Sequence, residues 1–152
     1  MRTLAFVLVL CPMMSFGMDR LSALSMIETG NNDRMVGRAG EISRYQILKR
    51  EWRSVTNSVR YTDPETAKAV TVKLLDRRVQ AFQAVYNRPP TNYEVYALWN
   101  APAQVLEGRV SRTVADRCRR YANLCAWTGK PSPVLSAAKA PAPILLCQNQ
   151  AR

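Results

Sequence analysis

The sequence predicts a mainly helical domain with one small β-ribbon after its first helix. Three observations carry that expectation. Helix-start signals recur at Asp63-Pro64-Glu65, Thr91-Asn92-Tyr93-Glu94 and Ser111, each followed by apolar residues spaced three and four apart. Helix-stop signals follow at Arg88-Pro89-Pro90, Gly108 and Gly129-Lys130-Pro131. Only residues 31–47 combine Asn, Asp and Gly with alternating apolar positions, the pattern of a loop leading into a short ribbon. A chain of 152 residues suffices for one domain with a single core.

The first segment stands apart from that domain. Arg2 precedes an apolar run from Leu4 to Leu10, and Ser15-Phe16-Gly17 supplies small residues where a signal peptidase reads. Residues 1–17 are therefore expected to be a secretory signal peptide, shorter than a permanent membrane span. A lipoprotein signal at Cys11 fits less well, because Leu10 occupies the position where a small residue is expected. The domain is expected over residues 18–129, in a secreted or periplasmic setting.

Within the domain, DRLSALSMIE (19–28) places apolar residues at 21, 24, 26 and 27, one face of a helix that Gly30 would end. Asp63 is an N-cap followed by proline and an acid, and it opens a long helix that runs to Asn87. Val70, Leu74, Leu75, Val79, Phe82, Val85 and Tyr86 are its expected core face. A capping box at Thr91 and Glu94 opens the next helix, YEVYALWNA. A short helical turn from Pro102 or Ala103 to Gly108 and a last helix capped by Ser111 complete the bundle. Residues 130–152 are rich in Pro and Ala and lack periodicity, as a flexible tail would.

The formal charge is +11, and +10 once residues 1–17 with Arg2 are removed. Such a basic chain suits an anionic partner. The basic residues are dispersed except at Arg117, Arg119 and Arg120, which read as a solvated helix face, and no zinc-finger, KH or RRM signature is present. Nucleic acid is thus not the expected partner. No histidine and no close CxxC pair favours a metal site. Cys118 and Cys125 would lie about 10 Å apart on one helix, too far for a disulfide. Cys147 could pair with either.

Two glutamates carry the chemistry. Glu28 ends an apolar run, where burial would disfavour its anion and raise its pKa, as a general acid requires. Glu41 sits on a turn-rich segment with Arg38, Ser43 and Arg44 nearby, a wetter place in which a carboxylate could assist attack at a sugar carbon. Asp33, in the loop beyond Gly30, competes for that second role. Acids in unlike surroundings are what glycoside hydrolysis uses.

Three segments, in order, resemble the lysozyme superfamily. Glu28-Thr29-Gly30 is similar to the Glu-Ser-Gly of soluble lytic transglycosylases and goose-type lysozymes. Gly40-Glu41-Ile42-Ser43-Arg44-Tyr45-Gln46 resembles their Gly-x-x-Gly-x-x-Gln, with Ser43 for the second glycine. Ala97-Leu98-Trp99-Asn100-Ala101-Pro102 resembles their Ala-x-Asn-Ala-Gly, with Trp99 before the Asn and Pro102 for the glycine. Glu41, five residues before Gln46, matches instead the second carboxylate of c-type lysozymes; the transglycosylases usually have an uncharged residue there.

The resemblance implies an α+β lysozyme-like fold and a monomeric glycosidase that cleaves the β-1,4 bond between N-acetylmuramic acid and N-acetylglucosamine in peptidoglycan, with no metal or organic cofactor. It implies Glu28 and Glu41 as catalytic, and Gln46, Ser43, Tyr45, Asn100 and Tyr121 as substrate-contacting. Tyr121 corresponds to a late tyrosine that reaches the acid. Tyr93, Tyr96 and Trp99 suit either the core or a sugar platform. A non-catalytic wall-binding protein is the alternative; a membrane-surface peptide is disfavoured because no helix opposes a cationic face to a wide apolar one.

Overall fold

The computed structural model describes residues 17–127. The expected tail, and the expected leader apart from Gly17, lie outside them, as do Cys11 and Cys147. The described chain is mainly helical: α1 (Arg20–Thr29), α2 (Lys49–Arg53), α3 (Pro64–Tyr86), α4 (Asn92–Asn100), α5 (Pro102–Leu106) and α6 (Arg112–Ala126). No helix among the described residues is long and apolar enough to cross a membrane.

The helix boundaries follow local chemistry. Asp19 caps α1 by accepting from the Leu21 and Ser22 amides, and Gly30 ends it in the left-handed region at φ +64°. Asp63 accepts from the Thr66 amide at 2.9 Å to open α3, and Asn87 closes it at φ +50°. The capping box of α4 is complete, and Arg88 adds a forked ion pair to the buried Glu94 carboxylate at 2.6 and 2.8 Å. Pro102 lacks the N–H that would continue α4, so that helix stops at Asn100 and α5 starts anew.

α4 is the centre of the bundle. Every residue from Glu94 to Trp99 is buried, and the one charge among them, Glu94, is paired by Arg88. It packs against α3, α5 and α6, and α6 also packs on α1. α6 buries Ala115, Cys118 and Tyr121 on one stripe and turns its arginines outward. The Tyr96 and Tyr121 rings lie 5.3 Å apart, and the Tyr121 hydroxyl donates to the Arg20 carbonyl at 3.0 Å, tying α6 to the start of α1.

Two expectations are corrected, and one helix is new. The small β-ribbon is absent among the described residues; in its place Ile42 and Ile47 form a single antiparallel bridge, with amide-to-carbonyl bonds of 2.8 and 2.9 Å. The ladder cannot lengthen because Ser43 and Gln46, at φ +65° and +52°, curl the chain between the two isoleucines, and Leu48 already leads into α2. Helix α2 was not anticipated. It is one turn nailed down by Trp52, which is fully buried, donates to the Ser58 carbonyl at 2.8 Å and meets Tyr61 edge-on. Val85, expected in the core face of α3, is 58% exposed, because it lies on the outer side of the last turn, whose inner side is carried by Phe82 and by Tyr86, the latter donating to the Val105 carbonyl at 3.0 Å.

Candidate active site

A cleft of about 570 Å³ opens where the end of α1, the 35–46 loop, α2, the end of α4 and α6 meet. Glu28 forms its acidic wall. As the penultimate residue of α1, it extends from the helix end across α4 and α6, and its side chain is only 7% exposed. The apolar run before it contributes less to this burial than its composition suggests, since Met26 faces solvent; Tyr96 of α4 does more.

The surroundings of Glu28 sort its two oxygens. The Tyr96 hydroxyl donates to Oε1 at 2.9 Å, and the Asn100 amide donates to the same oxygen at 3.4 Å. Among the described residues Oε2 has only the Arg117 guanidinium, 3.9 Å away. Burial pushes the carboxyl above the ordinary glutamate range; the Tyr96 bond, the Arg117 charge and the Asn100 bond pull it back, and the Glu41 charge adds to the rise. The negative end of the α1 dipole acts in the same direction as burial. A protonated Glu28 therefore carries its hydrogen on Oε2, the oxygen that accepts neither donor. The Tyr96 hydroxyl is itself held well above the usual tyrosine range by burial and by the Glu28 charge, so it remains a donor.

Glu41 lines the same cleft, half-buried, with one carboxylate oxygen accepting the Ala39 amide at 2.8 Å. The loop folds back on itself around this contact: the Gly37 amide donates to the Glu41 carbonyl and the Gly40 amide to the Gly37 carbonyl. Gly37 sits so close that a methyl group on it would overlap both the Glu41 carboxylate and the Gln46 side-chain oxygen. Gln46 also lines the cleft, its amide nitrogen donating to the Ser43 carbonyl at 3.3 Å.

The competing acid, Asp33, does not line the cleft. It forms a two-pronged ion pair with Arg44 at 2.5 and 2.6 Å, and that hydrogen bond holds its carboxyl below the usual range. Arg44 is thereby removed as a partner for Glu41. Thr29 anchors this loop to α1 by donating to the Arg44 carbonyl at 2.9 Å.

The other expected contact residues divide. Asn100, exposed at the end of α4, faces the cleft beside Glu28. Ser43 and Tyr45 are buried and do not line it. Ser43 directs Gln46 through its carbonyl, and the Tyr45 carbonyl accepts from the Trp99 indole at 3.1 Å. Tyr121 is fully buried and bonds Arg20, not Glu28; Tyr96 is the tyrosine that reaches the acid.

Several site groups were not anticipated. Tyr96 lies four residues before Asn100, and that spacing on one helix face is a signal that both serve one target. Arg117, expected on a solvated face, borders the cleft. Arg78 forms the cleft floor: it stacks 4.7 Å from the Trp99 ring, donates to the Trp99 carbonyl at 2.7 Å and pairs with Glu51 at 2.8 Å. No local pattern announces Arg78 or Gly37, since their roles depend on partners brought in by folding.

Among the described residues no group of histidine, cysteine and acidic side chains is arranged to hold a metal ion. Cys118 and Cys125 form no disulfide among the described residues, and burial pushes the Cys118 thiol up to about 12. No protein-family model, curated protein or solved structure matches this chain.

Proposed function

We propose that this protein is a secreted or periplasmic, monomeric member of the lysozyme superfamily, a peptidoglycan glycosidase that cleaves the β-1,4 bond between N-acetylmuramic acid and N-acetylglucosamine with Glu28 as general acid. One observation carries the reading. Three segments far apart in the chain, 28–30, 40–46 and 97–102, bring Glu28, Glu41, Gln46 and Asn100 to one cleft. Those are the segments in which the sequence resembles the superfamily. The left-handed backbone at Ser43, φ +65°, adds support, because the related motifs place glycine there and glycine enters that region without steric cost.

Glu28 donates its Oε2 proton to the glycosidic oxygen while Tyr96 and Asn100 steady the other oxygen. As the bond breaks and the carboxylate forms, both donors and Arg117 stabilise the new charge. This is the differential stabilisation that lowers a barrier. The sugar left behind, oxocarbenium-like, is attacked either by water with help from Glu41, giving a reducing end, or by the C6 hydroxyl of the muramoyl residue, giving a 1,6-anhydro end. In the second route Glu28 takes back the proton and Glu41 is not required.

Glu28→Gln tests the enzyme against a wall-binding protein of the same fold. Glutamine keeps the size and accepts the same hydrogen bonds but donates no acid proton. Turbidity clearance of a purified wall suspension should fall by roughly a hundred- to ten-thousand-fold, while sedimentation with the wall persists. Clearance at the parental rate would remove Glu28 from the mechanism.

A further inference from the structure

Of the four arginines that border the cleft, Arg78 is fully engaged by Glu51, by the Trp99 carbonyl and by the Trp99 ring. The other three are not. Arg38, on the loop before Glu41, and Arg50, on α2, are exposed, and their guanidinium groups have no hydrogen bond or ion pair among the described residues. Arg117 is 50% exposed, and its nearest anion is Glu28 at 3.9 Å, beyond hydrogen-bond distance. On the acidic side, Glu51 is neutralised by Arg78, leaving the half-buried Glu41 as a cleft carboxylate that no arginine pairs among the described residues. A concave site with this surplus of guanidinium groups concentrates positive potential and draws anions.

We propose that Arg38, Arg50 and Arg117 bind carboxylate groups carried by the glycan, so that this cleft selects an acidic glycan strand over a neutral N-acetylglucosamine polymer. This rests on the glycosidase reading. A guanidinium presents a planar fork that matches a carboxylate in two parallel hydrogen bonds, which a hydroxyl or acetamido group cannot reproduce. The three groups come from three different elements, so together they frame an extended ligand instead of a single small anion. The carboxylates could be the lactyl groups of muramic residues stripped of peptide, or those of intact stem peptides. Both present the same chemistry to the cleft.

The experiment measures binding to the Glu28→Gln protein by titration calorimetry at low and high salt. Its ligands are a neutral N-acetylglucosamine oligomer, a peptide-free peptidoglycan strand of the same length with free lactyl carboxylates, and the same strand with stem peptides. At low salt an acidic strand should bind at least about tenfold more tightly than the neutral oligomer, as charge-assisted hydrogen bonds imply. The ratio should fall toward one in high salt, and also when Arg38→Gln and Arg50→Gln are added. Whichever acidic strand binds better identifies the source of the carboxylates. Equal binding of neutral and acidic strands, a ratio indifferent to the two arginines, or no binding at all would overturn the proposal. Cleavage by the parent protein separates the two claims. Tight acidic binding without cleavage would sink the glycosidase and keep the arginine site, whereas equal binding and cleavage of all strands would do the reverse.

Discussion

Among single residues, the proposed reaction turns on the proton of Glu28. Its pKa is raised in the folded protein, so folding favours the protonated form. The stability this contributes is present below the ordinary glutamate value and is lost as pH rises through the raised one. Glu28→Gln removes that loss. The melting temperature of the variant should match the parent's in acid and exceed it increasingly as pH climbs past the ordinary glutamate range. A difference that stays constant with pH would mean that Glu28 is not shifted. Tyr96→Phe probes the same proton from the other side. Its hydroxyl favours the anion, so its loss should raise the pKa of Glu28 further. A general acid fails when it deprotonates, so the alkaline limb of the rate profile should move to higher pH, and a limb that moves lower would contradict the assignment. Sequence reasoning found Glu28 because its neighbours are apolar, yet one of them, Met26, faces water. The burial comes from α4 and α6, across a stretch of chain that no local pattern can span.

At the scale of elements, the 35–46 loop and the junction of α4 with α5 bring polar groups to the cleft. The junction was legible: the capping box sets where α4 begins, Pro102 sets where it ends, and that end delivers Asn100 to Glu28. The loop was legible only in part. Its Gly and Asn content announced turns, but left-handed residues at Ser43 and Gln46 reduce the expected ribbon to one bridge. Gly37 is the element's most testable residue. A methyl there displaces the ends of two flexible side chains, Glu41 and Gln46, and leaves the backbone free to stay. Gly37→Ala should therefore lower the rate of wall clearance while changing stability by less than about 1 kcal/mol in either direction. A large fall in melting temperature would show instead that the glycine supports the fold, and an unaltered rate would show that Glu41 and Gln46 do not act from their present positions. Helix α2 escaped sequence reading because one turn leaves no periodicity; only the buried Trp52 explains it.

At the scale of the whole molecule, net charge and cleft charge have the same sign. On the proposed reading, a strongly basic surface would gather an anionic polymer and the arginines at the cleft would then meet it locally. Helix order, caps and most of the core were readable because each depends on residues within a few positions of one another. The division of the arginines was not, since Arg44, Arg78 and Arg117 stand beside their acids only after the loop and helices have packed. The proposed function requires that this cleft break a glycosidic bond with the Glu28 proton. The most direct test is mass analysis of the fragments released from purified peptidoglycan by the parent protein, by Glu28→Gln and by Glu41→Gln. The parent should release muropeptides and Glu28→Gln almost none. Reducing ends that vanish with Glu41→Gln would mark the water route, and 1,6-anhydro ends that survive it, lighter by one water, would mark the intramolecular one. Release of no muropeptide by the parent, or equal release by Glu28→Gln, would contradict the claim.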